Sequence, residues 1–142
     1  MSDITAVYKA ICSKPLSRPL VGFRVSAGFP SPAEDYIEGS LDLTKYLVRH
    51  PVATFYIRVR GDSMVGANIH PGNLLVVDRA AETFDGHIVV ARIGDELCIK
   101  RLHIVEGCVW LCAENPEYDP IEITGEMDFE IWGRVMHSVQ SF

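Results

Sequence analysis

Two residues carry the chemistry this chain could perform: Ser63, in the run RGDSM at residues 60–64, and Lys100, in ELCIKRL at residues 96–102. A serine hydroxyl attacks a carbonyl readily only when a base removes its proton. A neutral lysine can be that base if it sits on a rigid, water-poor element, where desolvation favours the uncharged amine. On a strand, Lys100 shares its face with Cys98 and Leu102 while Arg101 points the other way, so an apolar setting is open to it. Plainer roles fit the same residues. Gly-Asp-Ser is turn-forming, and Lys100 could lie with Glu96 on a solvated face.

Other nucleophile and metal patterns are missing. Residues 61–65 read GDSMV and lack the second glycine of a G-x-S-x-G elbow. His50, His70, His87, His103 and His137 are scattered, so spacing suggests no triad partner for Ser63. Arg60-Gly61-Asp62 matches a cell-adhesion tripeptide by coincidence. Cys12, Cys98, Cys108 and Cys112 form no C-x-x-C and have no histidine at zinc-ligand spacing. They are expected to be small buried hydrophobes in a reducing compartment, with no metal and no cofactor.

A scaffold must hold these residues, and 142 residues at 48% hydrophobic and 23% charged suffice for one modest core. LDLTKYLVRHP, at residues 41–51, places Leu43, Tyr46 and Leu47 at helical spacing, with Asp42 to cap the start and Pro51 to stop it. Beyond it the period becomes two. Ala53, Phe55, Ile57 and Val59 line one face of ATFYIRV, and LLVVD, HIVVARI, ELCIKRL, CVWLCA and FEIWGRVMHSV follow, punctuated by PGN, DG, GD and EG. Short strands at even spacing predict a mainly β fold: a bent, partly closed antiparallel sheet with one short helix. The last strand, EIWGRVMHSV, is a candidate unpaired edge for dimer formation, with pairing inside the monomer as the alternative.

Ahead of the sheet lies a different kind of chain. PLSRPLVGFRVSAGFPSP, at residues 15–32, holds four prolines and two glycines and favours an extended arm. The expected division is an arm over residues 1–39 and a β domain over 40–142. Lys9, Lys14, Arg18 and Arg24 against Asp3 give residues 1–27 a net +3, which leaves −9 for the rest of a chain of net −6. An acidic body argues against strong direct binding to DNA, which rests on basic side chains displacing counterions. The arm could dock on that body or stay solvated. Charges interrupt every apolar stretch and the start lacks a signal-peptide pattern, so neither a membrane nor export is expected and a cytoplasmic location is.

The residues also carry a family resemblance. Gly61-Asp62-Ser63-Met64, then Gly72 and LLVVD ending at Asp78, then IKRL with Lys100 at 37 positions past the serine, resemble the self-cleaving Ser-Lys peptidases of the LexA and UmuD group. AGFPSPAEDY and LDLTKYLVRHPVATFYIRVRGDSM extend the likeness to the UmuD-like branch, nearly from Ser26 to the end. The resemblance implies that Ser63 is the nucleophile, Lys100 the general base, the main-chain N–H of Ser63 an oxyanion donor, and the bond between Ala27 and Gly28 the one cut. Small side chains at Ala27 and Gly28 and proline-rich flanks suit a segment that must lie extended across an active site. Met64 reads as a packing residue. Where UmuD is acidic after the serine-methionine pair, this chain has Val65, Gly66, Ala67 and Asn68, which alters the surface around the site.

By the same resemblance, a RecA-type recombinase filament on single-stranded DNA stimulates cleavage during the SOS response. The processed homodimer then serves a Y-family, UmuC-type polymerase in translesion synthesis. A non-catalytic polymerase-binding module of the same fold is the alternative from another class. A LexA-type or phage repressor shares the dyad, but 27 residues ahead of the bond are short for a helix-turn-helix domain of about three helices. A type I signal peptidase shares the Ser-Met signature but needs a membrane anchor.

Overall fold

The computed structural model describes residues 3–11, 14–21 and 37–142. Cys12 and the expected cut between Ala27 and Gly28 lie outside the described residues. Within them, β1 (Ile4–Lys9) and β2 (Ser17–Val21) precede β3 (Ile37–Asp42), α1 (Leu43–Leu47) and β4 (Thr54–Val59). Next come β5 (Leu74–Asp78), β6 (Ile88–Ile93), β7 (Glu96–Val105), β8 (Cys108–Cys112), β9 (Ile121–Ile123) and β10 (Phe129–Val139). Eight strands form an antiparallel sheet in the order β1-β4-β5-β10-β6-β7-β8-β9, while β2 and β3 make a separate pair. The sheet curls: the Asp3 amide donates to the Leu97 carbonyl at 3.2 Å, so the segment leading into β1 meets β7, five places away in the strand order. The mainly β, bent and partly closed sheet read from the sequence is the fold observed.

Alternating side chains explain the core. Phe55, Ile57 and Val59 of β4 pack with Leu75 and Val77 of β5, Val90 of β6 and Ile99 of β7 in one cluster. Val89 and Ala91 of β6 join Leu102 and Leu111 in a second cluster on the other face. Being buried on both sides, β6 reads as the unbroken apolar run VVA instead of an alternation. The short helix forms where expected, with the Asp42 carboxylate accepting from the amides of Thr44 at 3.1 Å and Lys45 at 3.4 Å. Leu43 and Tyr46 nevertheless remain exposed, and Pro51 opens a 3-10 turn.

Two expectations need correction. The last strand is not an unpaired edge: β10 pairs with β6 through Phe129 to Arg134 and with β5 through Arg134 to Val139. Gly133 marks the changeover, and a Cβ there would lie 2.9 Å from Val77 Cγ1 and 3.0 Å from the Asp78 carbonyl oxygen. The strands at the two ends of the sheet are β1 and β9. Nor are the cysteines uniformly buried. Cys108 is exposed at the start of β8, where it follows the Glu106-Gly107 turn, and Cys98 and Cys112 are only partly covered.

Candidate active site

Ser63 sits in the connection from β4 to β5, whose two ends are tied together. The Gly72 amide donates to the Val59 carbonyl and the Val59 amide to the Asn73 carbonyl, each at 2.9 Å. Gly61 and Gly72 have φ of 84° and 89°, left-handed values that favour glycine and let the chain leave β4 and re-enter β5 sharply. Inside this loop Met64 and Ile69 are buried in the β4–β5 core, and the Met64 carbonyl accepts from the Ala67 and Ile69 amides at 3.0 and 3.3 Å. Met64 is therefore a packing residue, as its neighbourhood in the sequence suggests. Its anchorage leaves Ser63 itself 3% exposed.

Lys100 lies in β7 opposite Val89 of β6, one residue before the pairing of β7 with β8 begins at Arg101. Its side chain is 8% exposed. The solvated-face alternative for this lysine does not hold. Burial of a lysine is costly unless the amine finds a partner. That partner is Asp3: Nζ donates to Asp3 Oδ2 at 3.1 Å, and the same oxygen accepts from the Ile99 amide at 3.0 Å. Asp3 in turn touches the serine loop. Its carbonyl accepts from the Arg60 amide at 2.7 Å, and a Cβ on Gly61 would stand 3.7 Å from its Oδ1.

A second bridge between the two candidate residues runs through the connection from β8 to β9. The Tyr118 ring lies 5.5 Å from Lys100 Nζ, within range of a cation–π contact, and its hydroxyl reaches the carboxylate of Asp62. Asn115 Nδ2 donates to the Asp62 carbonyl at 2.9 Å, and the Gly66 amide donates to the Glu114 carbonyl at 2.8 Å. Glu114 is held by Arg101, which also donates to the Gly86 carbonyl at 2.6 Å. The hydrogen bond to Asp62 is the leading cause that raises the Tyr118 pKa above its usual value, followed by burial. Ser63 and Lys100 thus lie on two segments clamped to the same neighbours, Asp3 on one side and the residue 114–118 turn on the other.

Beside Lys100 a cavity of about 340 Å³ is lined by Cys98, Ile93, Ile121 and Tyr118, with Asp3, Glu96 and Asp119 adding carboxylates. Burial pushes the Cys98 thiol up to about 11, against a smaller lowering by Lys100. Asp3, Tyr118 and Asn115 are the site residues that sequence reasoning missed. Asp3 stands 97 positions from Lys100, so no spacing rule links them; its only signal is that it is the single acid among the first 27 residues.

Residues 19–136 match the Peptidase S24-like family. The chain belongs to that family. This S24-like chain is 44% identical over 117 residues to Protein MucA of Salmonella typhimurium, covering 82% of this chain and 80% of MucA. It is 52% identical over 109 residues to Protein ImpA of the same organism, covering 77% of this chain and 70% of ImpA. LexA repressor 1 of Pseudomonas putida is 47% identical over 105 residues, which are 74% of this chain and 51% of the repressor. The resemblance to the LexA and UmuD group read from the motifs is therefore met in similarity over most of the chain. Among the described residues of this S24-like chain, no helix is long and apolar enough to cross a membrane.

Proposed function

We propose that this chain is a serine endopeptidase that cuts itself between Ala27 and Gly28, using Ser63 as nucleophile and Lys100 as general base. The observation that carries the reading is the buried position of Lys100, 6% exposed, with its amine turned toward the Asp3 that also contacts the serine loop. In the proposed reaction neutral Lys100 takes the Ser63 proton as Oγ adds to the Ala27 carbonyl carbon. Main-chain N–H groups, that of Ser63 among them, receive the oxyanion. Collapse breaks the bond to the Gly28 nitrogen, which leaves with the proton from Lys100. Water then releases residues 1–27 from the acyl-enzyme.

The proposed division is an arm over residues 1–39, whose β1 lies along β4 in the sheet, and a peptidase domain over 40–142. Its family relatives support a role in SOS mutagenesis in the cytoplasm. There a recombinase filament on single-stranded DNA triggers cleavage, and residues 28–142 act as a homodimer beside an error-prone translesion polymerase.

Mass spectrometry of the purified chain after incubation at alkaline pH, alone and with a recombinase filament, tests the reading. Loss of residues 1–27 from the wild type, but from neither Ser63→Ala nor Lys100→Ala, supports it. The rate should rise with pH, because the base must be deprotonated. A chain that stays intact under both conditions overturns it and favours a binding module that only docks a polymerase.

A further inference from the structure

The amine proposed as general base is already taken, and the group that takes it belongs to the segment the reaction would remove. Asp3 is buried, 9% exposed, and makes four tethers: its amide to the Leu97 carbonyl, its carbonyl from the Arg60 amide, and its carboxylate to the Ile99 amide and Lys100 Nζ. β1 holds it there by pairing along β4 from Ile4 opposite Val59 to Lys9 opposite Phe55, with Ile4 seated in the core. An amine engaged by a carboxylate in a buried, charge-assisted hydrogen bond is not free to take the proton of a serine hydroxyl. From these contacts we infer that Asp3 is an autoinhibitory latch, which keeps the uncut chain latent by ion-pairing Lys100 until β1 leaves β4.

The inference rests on the proposed roles of Ser63 and Lys100. Three features set it apart from incidental surface pairing. Lys100 is the one buried lysine among the described residues, and Asp3 is the one acid in a basic segment. Exposed ion pairs are worth little, whereas this one is shut away from water at both ends. The other titratable groups facing the amine are Glu96 and Cys98 of its own strand, Tyr118 and Asp119 across the cavity, and Asp62 behind Tyr118. Asp3 is the group that accepts the hydrogen bond from Nζ.

The test uses the full chain. In a Ser63→Ala background, which cannot cut, the rate at which an amine-reactive reagent labels Lys100 at pH 8 is read by peptide mass spectrometry with and without Asp3→Asn. Asparagine keeps the shape and an acceptor for the Ile99 amide but removes the charge. Removing the ion pair frees the amine for the reagent, so labelling is expected to rise several-fold. With Ser63 restored, Asp3→Asn should cut itself faster than the wild type, without a filament, by a similar factor. Ile4→Asn, which keeps the Asp3 carboxylate but loosens the β1 anchorage that holds it against Lys100, should move both rates the same way, and circular dichroism checks each fold.

Equal labelling with and without the Asp3 charge overturns the latch. So does Ser63-dependent cutting that is no faster in Asp3→Asn than in the wild type, a result that leaves the Ser63 and Lys100 roles standing. No Ser63-dependent cutting in any chain, even with a filament, defeats those roles and the latch together.

Discussion

The Tyr118 hydroxyl donates to Asp62 Oδ1 at 2.5 Å across 56 positions of sequence, joining the turn after β8 to the residue that precedes Ser63. Because the same ring lies over Lys100 Nζ, one side chain spans both halves of the candidate site. Tyr118→Phe keeps the ring and loses the tether, so self-cleavage is expected to slow several-fold with the fold intact. Tyr118→Ala should slow it further. A time course of the proposed cut between Ala27 and Gly28 at fixed pH separates the two, and equal rates for wild type and Tyr118→Phe would show that the tether is idle.

Gly66 is where the serine loop passes closest to that turn. A Cβ there would sit 2.5 Å from the Glu114 carbonyl oxygen, so Gly66→Ala must push two backbones apart. Overpacking of this kind costs about 1–3 kcal/mol. Urea denaturation should show that loss, together with a cut slower than the stability change alone explains.

Asp78, 2% exposed at the end of β5, gathers three donors: the Ala80 amide at 2.8 Å, the Ala81 amide at 3.2 Å and His50 Nδ1 at 2.6 Å. Asp78→Ala removes the acceptor of all three and is expected to destabilise the fold by about 1–3 kcal/mol, since a hydrogen bond to a charged group contributes about 1.5–3 kcal/mol and water can reach exposed Ala80 and His50. Asp78→Asn should recover part of it. A thermal melt unchanged by Asp78→Ala would contradict the structural role.

The cysteines offer a pH test. Desolvation lifts the Cys98 thiol from 9.0 to about 11, so at pH 8 its thiolate is roughly a hundredfold scarcer than that of an ordinary thiol. A maleimide probe should label exposed Cys108 before Cys98, which labels slowly and gains rate steadily as pH rises toward 11. Equal labelling of both at pH 8 would mean that the cavity beside Lys100 is open to water.

Much of this architecture was legible because it is local. The alternation of Phe55, Ile57 and Val59 gives β4 its inner face, and Asp42 caps the helix that its own carboxylate can reach. Ser63 and Lys100 stand out as candidates through short motifs and the family resemblance those motifs carry. What escaped is non-local. Asp3 finds Lys100 only because the sheet curls, and Tyr118 reaches Asp62 only because the turns after β4 and β8 converge. The misjudged final strand has a similar cause: a long apolar strand reads alike whether its neighbours are other strands of the chain or another copy, and β10 uses Gly133 to change neighbours midway.

The placement of β1 has one more outcome. In the uncut chain β4 is interior, hydrogen-bonded to β1 on one side and β5 on the other. Loss of residues 1–27 would strip that cover and turn residues 54–59 into a bare margin of amides and carbonyls, which an incoming strand can zip onto. Cutting the chain would therefore create a binding edge as well as discard a segment, so the shortened product could recognise what its precursor cannot.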